Sequence, residues 1–504
     1  MEYKIKPWAH QVEAIERAAM LPYFALFFEM GTGKTGTAIN ILRAKSNLAG
    51  QVLKTIIFCP PIVINNWKSE WLSHSNLKST QIIPLVGSGK RRLDTFVKET
   101  AKGPRVFITN YQSLQMADLF REFLYWSPEA LVFDESHRCK SHTAKTSKLA
   151  FHLANPFDEK TKRPVKRPLV YLLSGSPILN SPMDIYQQFK IMDGGEAFGR
   201  NYFAFRAKYF RDRNEAMPTG RYFPKWEVMT KEKDGVDALK EINEKLFSVG
   251  MRVEKKDCLD LPEEVSIIVP VAMNQDQSRL YSEMKNEFIT FYNSKACVAS
   301  LAITKALRLL QITAGFVSLE NQEAASENPV VATQIKDTPK LETLSELLEE
   351  ITEQGHKVLV WAVWKENYNQ IRSVCEKLGL QSVEVHGGVS DKQKQLNVEK
   401  FKTDHNVKVF IGHPGSGGIG INLVNAAYSI FYSRTFSLEQ YLQARARNHR
   451  GGSKEQGHEK ITHYDLVCEN TIDQLAVEKL ANKVSMSEKL LNEISRELLV
   501  QNVG

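Results

Sequence analysis

The chain has 504 residues, 42% of them hydrophobic and 25% charged, with 66 Lys and Arg against 58 Asp and Glu. That length allows two to four domains, each able to bury its own core, and that balance excludes collagen-like, coiled-coil and wholly disordered chains. The net charge of +8 is mild, and alone it does not separate a nucleic-acid binder from a protein with a slightly basic solvated surface.

The N-terminus, MEYKIKPWAH, carries no apolar stretch of the kind that opens a secretory signal. No apolar run approaches the roughly 18 residues of a membrane span. The six cysteines (Cys59, Cys139, Cys258, Cys297, Cys375, Cys468) are far apart with no C-x-x-C, which argues against a disulfide framework or structural zinc. A cytoplasmic protein with reduced thiols, no membrane association and no obligatory protein partner is the expectation.

Early in the chain, Phe28-Glu29-Met30-Gly31-Thr32-Gly33-Lys34-Thr35 runs into a helical stretch. Glycines let backbone N–H groups wrap a phosphate, and the helix that follows adds its positive dipole end. Lys34 would reach the β- and γ-phosphates of ATP, and the Thr35 hydroxyl would bind Mg²⁺. Phe28 stands where the first glycine of the full G-x-x-x-x-G-K-[ST] pattern belongs.

Apolar runs rich in β-branched residues follow at Thr55–Cys59, Arg105–Thr109, Leu131–Phe133 and Leu169–Leu173. Near-continuous hydrophobic strands with amphipathic stretches between them are what a parallel sheet covered on both faces requires. Asp134-Glu135-Ser136-His137 follows the third run. An acidic residue at the C-terminal end of a strand faces the crevice where α/β folds bind ligands. Asp134 is placed to hold Mg²⁺ through water, and Glu135 to orient and deprotonate the attacking water.

From about 196 to 233 the composition changes to aromatics interleaved with basics, including Arg211, Arg213, Arg221 and Lys225. Aromatic faces stack unpaired bases and interleaved arginines hold phosphates, but a packed insertion with solvated basics reads the same way. Gln275–Phe291 and Val298–Gln311 read as helices, and the polar stretch Glu320–Pro339 as loop. A second set of strand-like runs comes at Lys357–Ala362, Val407–Gly412, Ser429–Tyr432 and Ile461–Val467, so two α/β lobes are expected. Gln443–Arg450 follows, and a helix through it would put Arg447 and Arg450 on one face. Arginines supplied across a cleft stabilise a transferring phosphoryl group, although a basic helix can equally face water or nucleic acid. A long polar helix is expected for Ile472–Leu499.

Taken together, these residues resemble the Swi/Snf-type ATPases of helicase superfamily 2, nearly end to end and in order. Glu29–Thr35 is similar to the family's D-E-M-G-L-G-K-T loop, with Gln11 where the family reads adenine. Phe58–Pro61 through Asn66-Trp67 and Trp71 resembles motif Ia, Ile108–Tyr111 motif Ib, and Asp134–His137 the D-E-A-H box. Leu173–Asn180 resembles motif III with serines for threonines, and Val385–Gly388 the end of motif IV. Gly415–Leu423 resembles motif V. Gln443–Arg450 is similar to Q-A-x-D-R-A-H-R, although Ala446 stands where Asp is expected.

The resemblance implies two RecA-like lobes, parallel sheets flanked by helices: residues 1–194, then an inserted accessory segment at 195–260, then 261–504 with a helical linker and a C-terminal helix. It implies Mg·ATP held by Gln11, Gly31, Thr32, Gly33, Lys34, Thr35, Gly418 and Gly420, with Lys34, Asp134, Glu135, Arg447 and Arg450 catalytic. It places Thr109, Tyr111, Ser174, Gly387 and Ser416 against a phosphodiester backbone, contacts that position DNA without reading sequence. A compact bacterial or phage-type member fits the length, acting as a monomer on forked, branched or duplex DNA. It would unwind or branch-migrate recombination intermediates, or translocate on duplex and displace bound protein.

Overall fold

A computed structural model describes residues 3–481 apart from 104, 159–162, 176, 179–180, 214–225, 259, 294–298, 321–329 and 416–420. The chain divides into two compact units that part after Cys258.

In the first unit seven strands form one parallel sheet: β1 Tyr23–Phe28, β2 Thr55–Cys59, β3 Ile82–Pro84, β4 Val106–Asn110, β5 Ala130–Asp134, β6 Leu169–Leu173 and β7 Gly250–Val253. Their order is β7-β1-β6-β5-β2-β4-β3. Side chains alternate between the two faces, and both faces are dry. Ala25 and Phe27 of β1 join Phe58, Phe107 and Phe133 in one core. Phe24, Leu26 and Phe28 join Ile57, Ile108 and Val132 in the other, under the helices α1 (Ala9–Met20) and α2 (Lys34–Ala49). The expected strands at 55–59 and 169–173 are met to the residue, and those at 105–109 and 131–133 within a residue or so at each end.

The span expected to be a separate accessory segment, 195–260, is not set apart from this unit. Its last strand, β7, pairs with β1 from Ala25↔Gly250 to Phe28↔Val253. Its described aromatics belong largely to that core: Phe198, Phe205, Tyr209 and Phe210 are buried in the cluster that holds Tyr186 and Phe189, and Tyr202, Trp226 and Phe247 pack against it half-buried. Phe203 is the exception, 63% exposed.

The second unit repeats the plan with six parallel strands: β8 Glu263–Val271, β9 Val358–Trp361, β10 Gln381–Val385, β11 Val407–Gly412, β12 Tyr428–Phe431 and β13 Lys460–Cys468. They are ordered β8-β13-β12-β9-β11-β10. Val358, Val360, Val409 and Ile430 pack on one face, and Leu359, Trp361, Phe410 and Phe431 on the other. The helices Gln275–Asn293 and Ala299–Thr313 match expectation. The stretch read as loop from Glu320 does not: Phe316–Glu320 pairs antiparallel with Val330–Gln334, because Val330 and Val331 continue the apolar alternation beyond the polar residues. A helix begins at 472 and is described to 481; the rest of the expected C-terminal helix lies outside the described residues. Asp473, 3% exposed, accepts hydrogen bonds from the Lys340 ammonium, Thr313 Oγ1 (2.7 Å) and the Cys468 N–H (3.2 Å).

Candidate active site

Because the seven-stranded sheet is parallel, all seven of its strands end on one edge. β1, β6 and β5 are neighbours there, so the turns after Phe28, Leu173 and Asp134 lie side by side.

After β1 the chain turns through Gly31 and Gly33, both left-handed at φ 91° and 84°, into α2. A Cβ on Gly33 would lie 1.9 Å from Gln11 Nε2, so that glycine also makes room for the α1 side chain expected to read adenine. His10 Nε2 stands 2.9 Å from the Thr32 carbonyl oxygen, and Gln11 Nε2 lies 3.4 Å from the carbonyls of Thr32 and Gly33. Helix α1 therefore holds the loop from outside, with its own start fixed by the Trp8 N–H donating to Gln11 Oε1 (2.9 Å). Lys34 and Thr35 open the first turn of the 16-residue α2, where N–H groups and helix dipole favour an anion. The Lys34 ammonium donates to the carbonyls of Phe28 (2.6 Å) and Glu29 (3.2 Å). Gly175, after β6, faces it closely enough that a Cβ there would sit 3.5 Å from Lys34 Nζ.

Asp134 ends β5 almost fully buried. Its Oδ2 accepts from Trp67 Nε1 (2.8 Å) on the helix α3 (Ile64–His74), and its Oδ1 from the Glu135 N–H (3.1 Å). Burial, and then the charge of Glu135, push the Asp134 carboxyl up to about 6, against the opposing pull of Trp67 and Lys34. Glu135 itself is left-handed at φ 54°, a conformation that costs a non-glycine residue about 1 kcal/mol or more and turns its side chain off the strand direction. Its Oε2 lies 3.4 Å from His137 Nδ1, which is 3.3 Å from Ser174 Oγ. A buried carboxylate whose charge is disfavoured, as at Asp134, suits a divalent cation, and the donor set, one hydroxyl, one carboxylate and phosphate oxygens, is that of Mg²⁺. The described residues contain no group of three or more His, Cys, Asp or Glu that would hold a metal alone.

In the second unit the expected helix through the arginines stops short. Helix α4 spans Leu438–Arg445, and 446–450 are turns, so Arg447 and Arg450 do not share a helix face. Asn448 is the cause: it is fully buried and donates Nδ2 to the Ala426 carbonyl (3.1 Å), while Ser453 Oγ bonds the carbonyls of Asn448 and Arg450. Arg447 is 6% exposed and reaches the Ile421 carbonyl at 3.5 Å. Burial lowers the pKa of Arg450 from its usual value, the mark of a desolvated guanidinium.

A model of the SNF2-related domain matches residues 24–323, and one of the helicase conserved C-terminal domain matches residues 339–452. The chain belongs to the SNF2-related family. As an SNF2-related protein it is an ATPase of the DNA-dependent class, a conclusion that rests on both matched domains. A phage protein, putative protein p41 of Acyrthosiphon pisum secondary endosymbiont phage 1, is 25% identical over 93% of this chain and 94% of its own. The CHD3-type chromatin-remodeling factor PICKLE of Arabidopsis thaliana is 21% identical over 94% of this chain. The DNA repair and recombination protein RDH54 of Saccharomyces cerevisiae (strain ATCC 204508 / S288c) is 25% identical over 92% of it. The chain spans only 33% of PICKLE and 49% of RDH54. The solved Sulfolobus solfataricus SWI2/SNF2 ATPase core in complex with dsDNA aligns over 98% of this chain and 93% of its own, with 18% identity and a TM-score of 0.41.

The residues expected to touch nucleic acid fare differently in this SNF2-related chain. Thr109 and Ser174 are fully buried and Tyr111 nearly so. Thr109 Oγ1 lies 2.6 Å from Ser113 Oγ, and Tyr111 donates its hydroxyl to the Asp134 carbonyl (2.7 Å). These three side chains are bonded within the lobe rather than presented on its surface, contrary to the expected backbone contacts. Gly387 is exposed, with nothing near where a Cβ would stand. Arg213 is paired to Asp234 at 2.6 Å and Arg211 faces the same carboxylate at 3.8 Å, which reduces the charge they offer a phosphate. Ser416, Gly418, Gly420, Arg221 and Lys225 lie outside the described residues. The sequence reading missed Trp67 as a partner of Asp134; its place in motif Ia was legible, but its hydrogen bond required the fold. No described helix is long and apolar enough to cross a membrane.

Proposed function

We propose that the chain is an ATP-driven translocase on DNA that acts on forked or recombination intermediates. The observation that carries the reading is the convergence of Lys34, Asp134 and Glu135 on one edge of the first sheet, at the ends of β1 and β5. Gln11 would face the base. Lys34 would exchange its two carbonyl partners for β- and γ-phosphate oxygens, and the first turn of α2 would receive the phosphates. Mg²⁺, held by Thr35 Oγ1 and through water by Asp134, would neutralise charge gathering on the phosphates. Glu135 would accept the proton of the attacking water, and the His137 ring beside it would keep its carboxylate oriented. Arg447 and Arg450 are the proposed cations for the γ-phosphoryl group.

Work on recombination intermediates is supported by the likeness to RDH54, a DNA repair and recombination protein. Duplex translocation that displaces bound protein without strand separation is the second reading, favoured by the likeness to PICKLE, a chromatin-remodeling factor. ATP turnover and strand displacement on single-stranded, duplex, forked and four-way DNA, with RNA as control, separate the two. Turnover with displacement on forks supports the first reading; turnover on duplex without displacement supports the second. Stimulation by RNA alone overturns both, and a K34A protein that still turns over ATP overturns the assigned site.

A further inference from the structure

The arginine motif of the second unit departs from its family pattern at Ala446, where an acidic residue is expected. The acid it lacks is supplied from elsewhere in the fold. Glu264, the second residue of edge strand β8, points its carboxylate at the end of α4. Its Oε1 accepts from Arg445 Nε (3.1 Å) and Nη2 (3.0 Å) and from His463 Nε2 (3.0 Å) on β13. Its Oε2 lies 3.3 Å from His449 Nδ1.

The other nitrogen of His449, Nε2, is 3.1 Å from the Pro262 carbonyl oxygen. A carboxylate and a carbonyl are both acceptors, so only the imidazolium, with two N–H donors, satisfies both contacts. His463 differs. Its Nε2 donates to Glu264, and its buried Nδ1 has no partner among the described residues, which suits the neutral ring. Burial lowers the pKa of His463 and the Arg445 charge adds to that, against the pull of Glu264. Burial pushes the Glu264 carboxyl up, but the hydrogen bond from His463 and the charges of Arg445 and His449 outweigh it and hold it well below the usual carboxylate range. The next charges out are Asp465, which pairs with Arg434 (2.7 Å) and accepts from the Tyr441 hydroxyl (3.3 Å).

We propose that Glu264 is the positioning residue of the arginine loop, clamping it through Arg445 on one side and a doubly protonated His449 on the other. The two contacts bracket Arg447 in sequence and end one residue before Arg450. Glu264 thereby fixes where both guanidinium groups are presented. The clamp stands in for the missing acid at 446. It weakens when His449 loses a proton, since one of its two acceptors then faces a bare nitrogen lone pair. Alkaline pH therefore loosens the loop. The inference rests on the reading that Arg447 and Arg450 serve ATP hydrolysis.

The test uses the full chain and DNA-stimulated ATP turnover. R450A comes first: full activity in R450A overturns the role of the arginines themselves, whatever Glu264 does. With R450A inactive, E264Q should lower kcat about tenfold while KM for ATP stays within about twofold, and R445K should recover more activity than R445A. Wild-type kcat should fall on the alkaline side, and H449Q should lose that limb while starting from the lowered value. Where E264Q does not fold, the R445A and R445K pair and the H449Q profile carry the test. An inactive R450A beside E264Q with wild-type kcat, equal activity in R445A and wild type, or an alkaline limb unchanged in H449Q would each overturn the clamp.

Discussion

Asp134→Asn tests the electrostatics of the site apart from its chemistry. The Asp134 carboxyl is raised from 3.8 to about 6 by burial and by Glu135. About 2 units at ~1.4 kcal/mol each put roughly 3 kcal/mol of strain on the charged form in the folded protein. Asparagine keeps an oxygen for the Trp67 indole but turns its amide toward the Glu135 N–H, a loss of about 1 kcal/mol. D134N should therefore be more stable than wild type by about 2 kcal/mol at about pH 8. A carboxyl whose folded pKa is raised stabilises the fold below its unfolded value and loses that contribution as pH climbs to the folded one. The advantage of asparagine should accordingly fade as pH drops from about 6 to about 4. Urea unfolding of the nucleotide-free protein at about pH 8 and about pH 4 measures it, and ATP turnover should be lost in the same variant. A D134N protein less stable than wild type at about pH 8, or equally advantaged at about pH 4, would refute the reasoning.

Gly33→Ala should destabilise the first unit by about 1–3 kcal/mol, from its left-handed φ and from the collision with Gln11, and should raise KM for ATP; denaturation and steady-state kinetics read the two effects. Lys340→Met should cost the second unit about 3–5 kcal/mol by stranding the Asp473 carboxylate, seen as an earlier unfolding step in denaturant. Alanine at Arg211, Arg213, Arg221 and Lys225 together should weaken processing of branched DNA more than basal ATPase, and equal loss of both, or of neither, counts against that segment as a DNA contact.

What was legible in the sequence was whatever a continuous apolar run announces. Thr55–Cys59 and Leu169–Leu173 are central strands dry on both faces, and composition alone marks them. The edge strands escaped for the complementary reason. Ile82–Pro84 is three residues long, Gly250–Val253 contains a glycine and an arginine, and Glu263–Val271 leaves most of its side chains exposed and carries Pro270. The nucleotide loop and the acidic box were readable because their chemistry sits in contiguous residues. The partners that tune them were not: Trp67 reaches Asp134 across 67 positions, and Glu264 reaches Arg445 across 181. The end of the helix at Arg445 has a local cause that periodicity does not carry, since Asn448 prefers a carbonyl of another segment to the next helical turn.

The pairing of β1 has a consequence for how the protein is made. β1 leads into the Gly31–Thr35 turn, yet its two neighbours in the sheet are Leu169–Leu173 and Gly250–Val253. Gly250 follows its partner Ala25 by 225 positions. At about 5–20 residues per second, a ribosome leaves that edge uncovered for roughly 10–45 s after β1 is synthesised. During that interval Tyr23–Phe28, six residues with four aromatics, is an apolar strand with an open flank, the kind of segment that aggregates or recruits a chaperone. The strand that leads into the glycine loop is thus closed on both sides only once Gly250–Val253 has been synthesised.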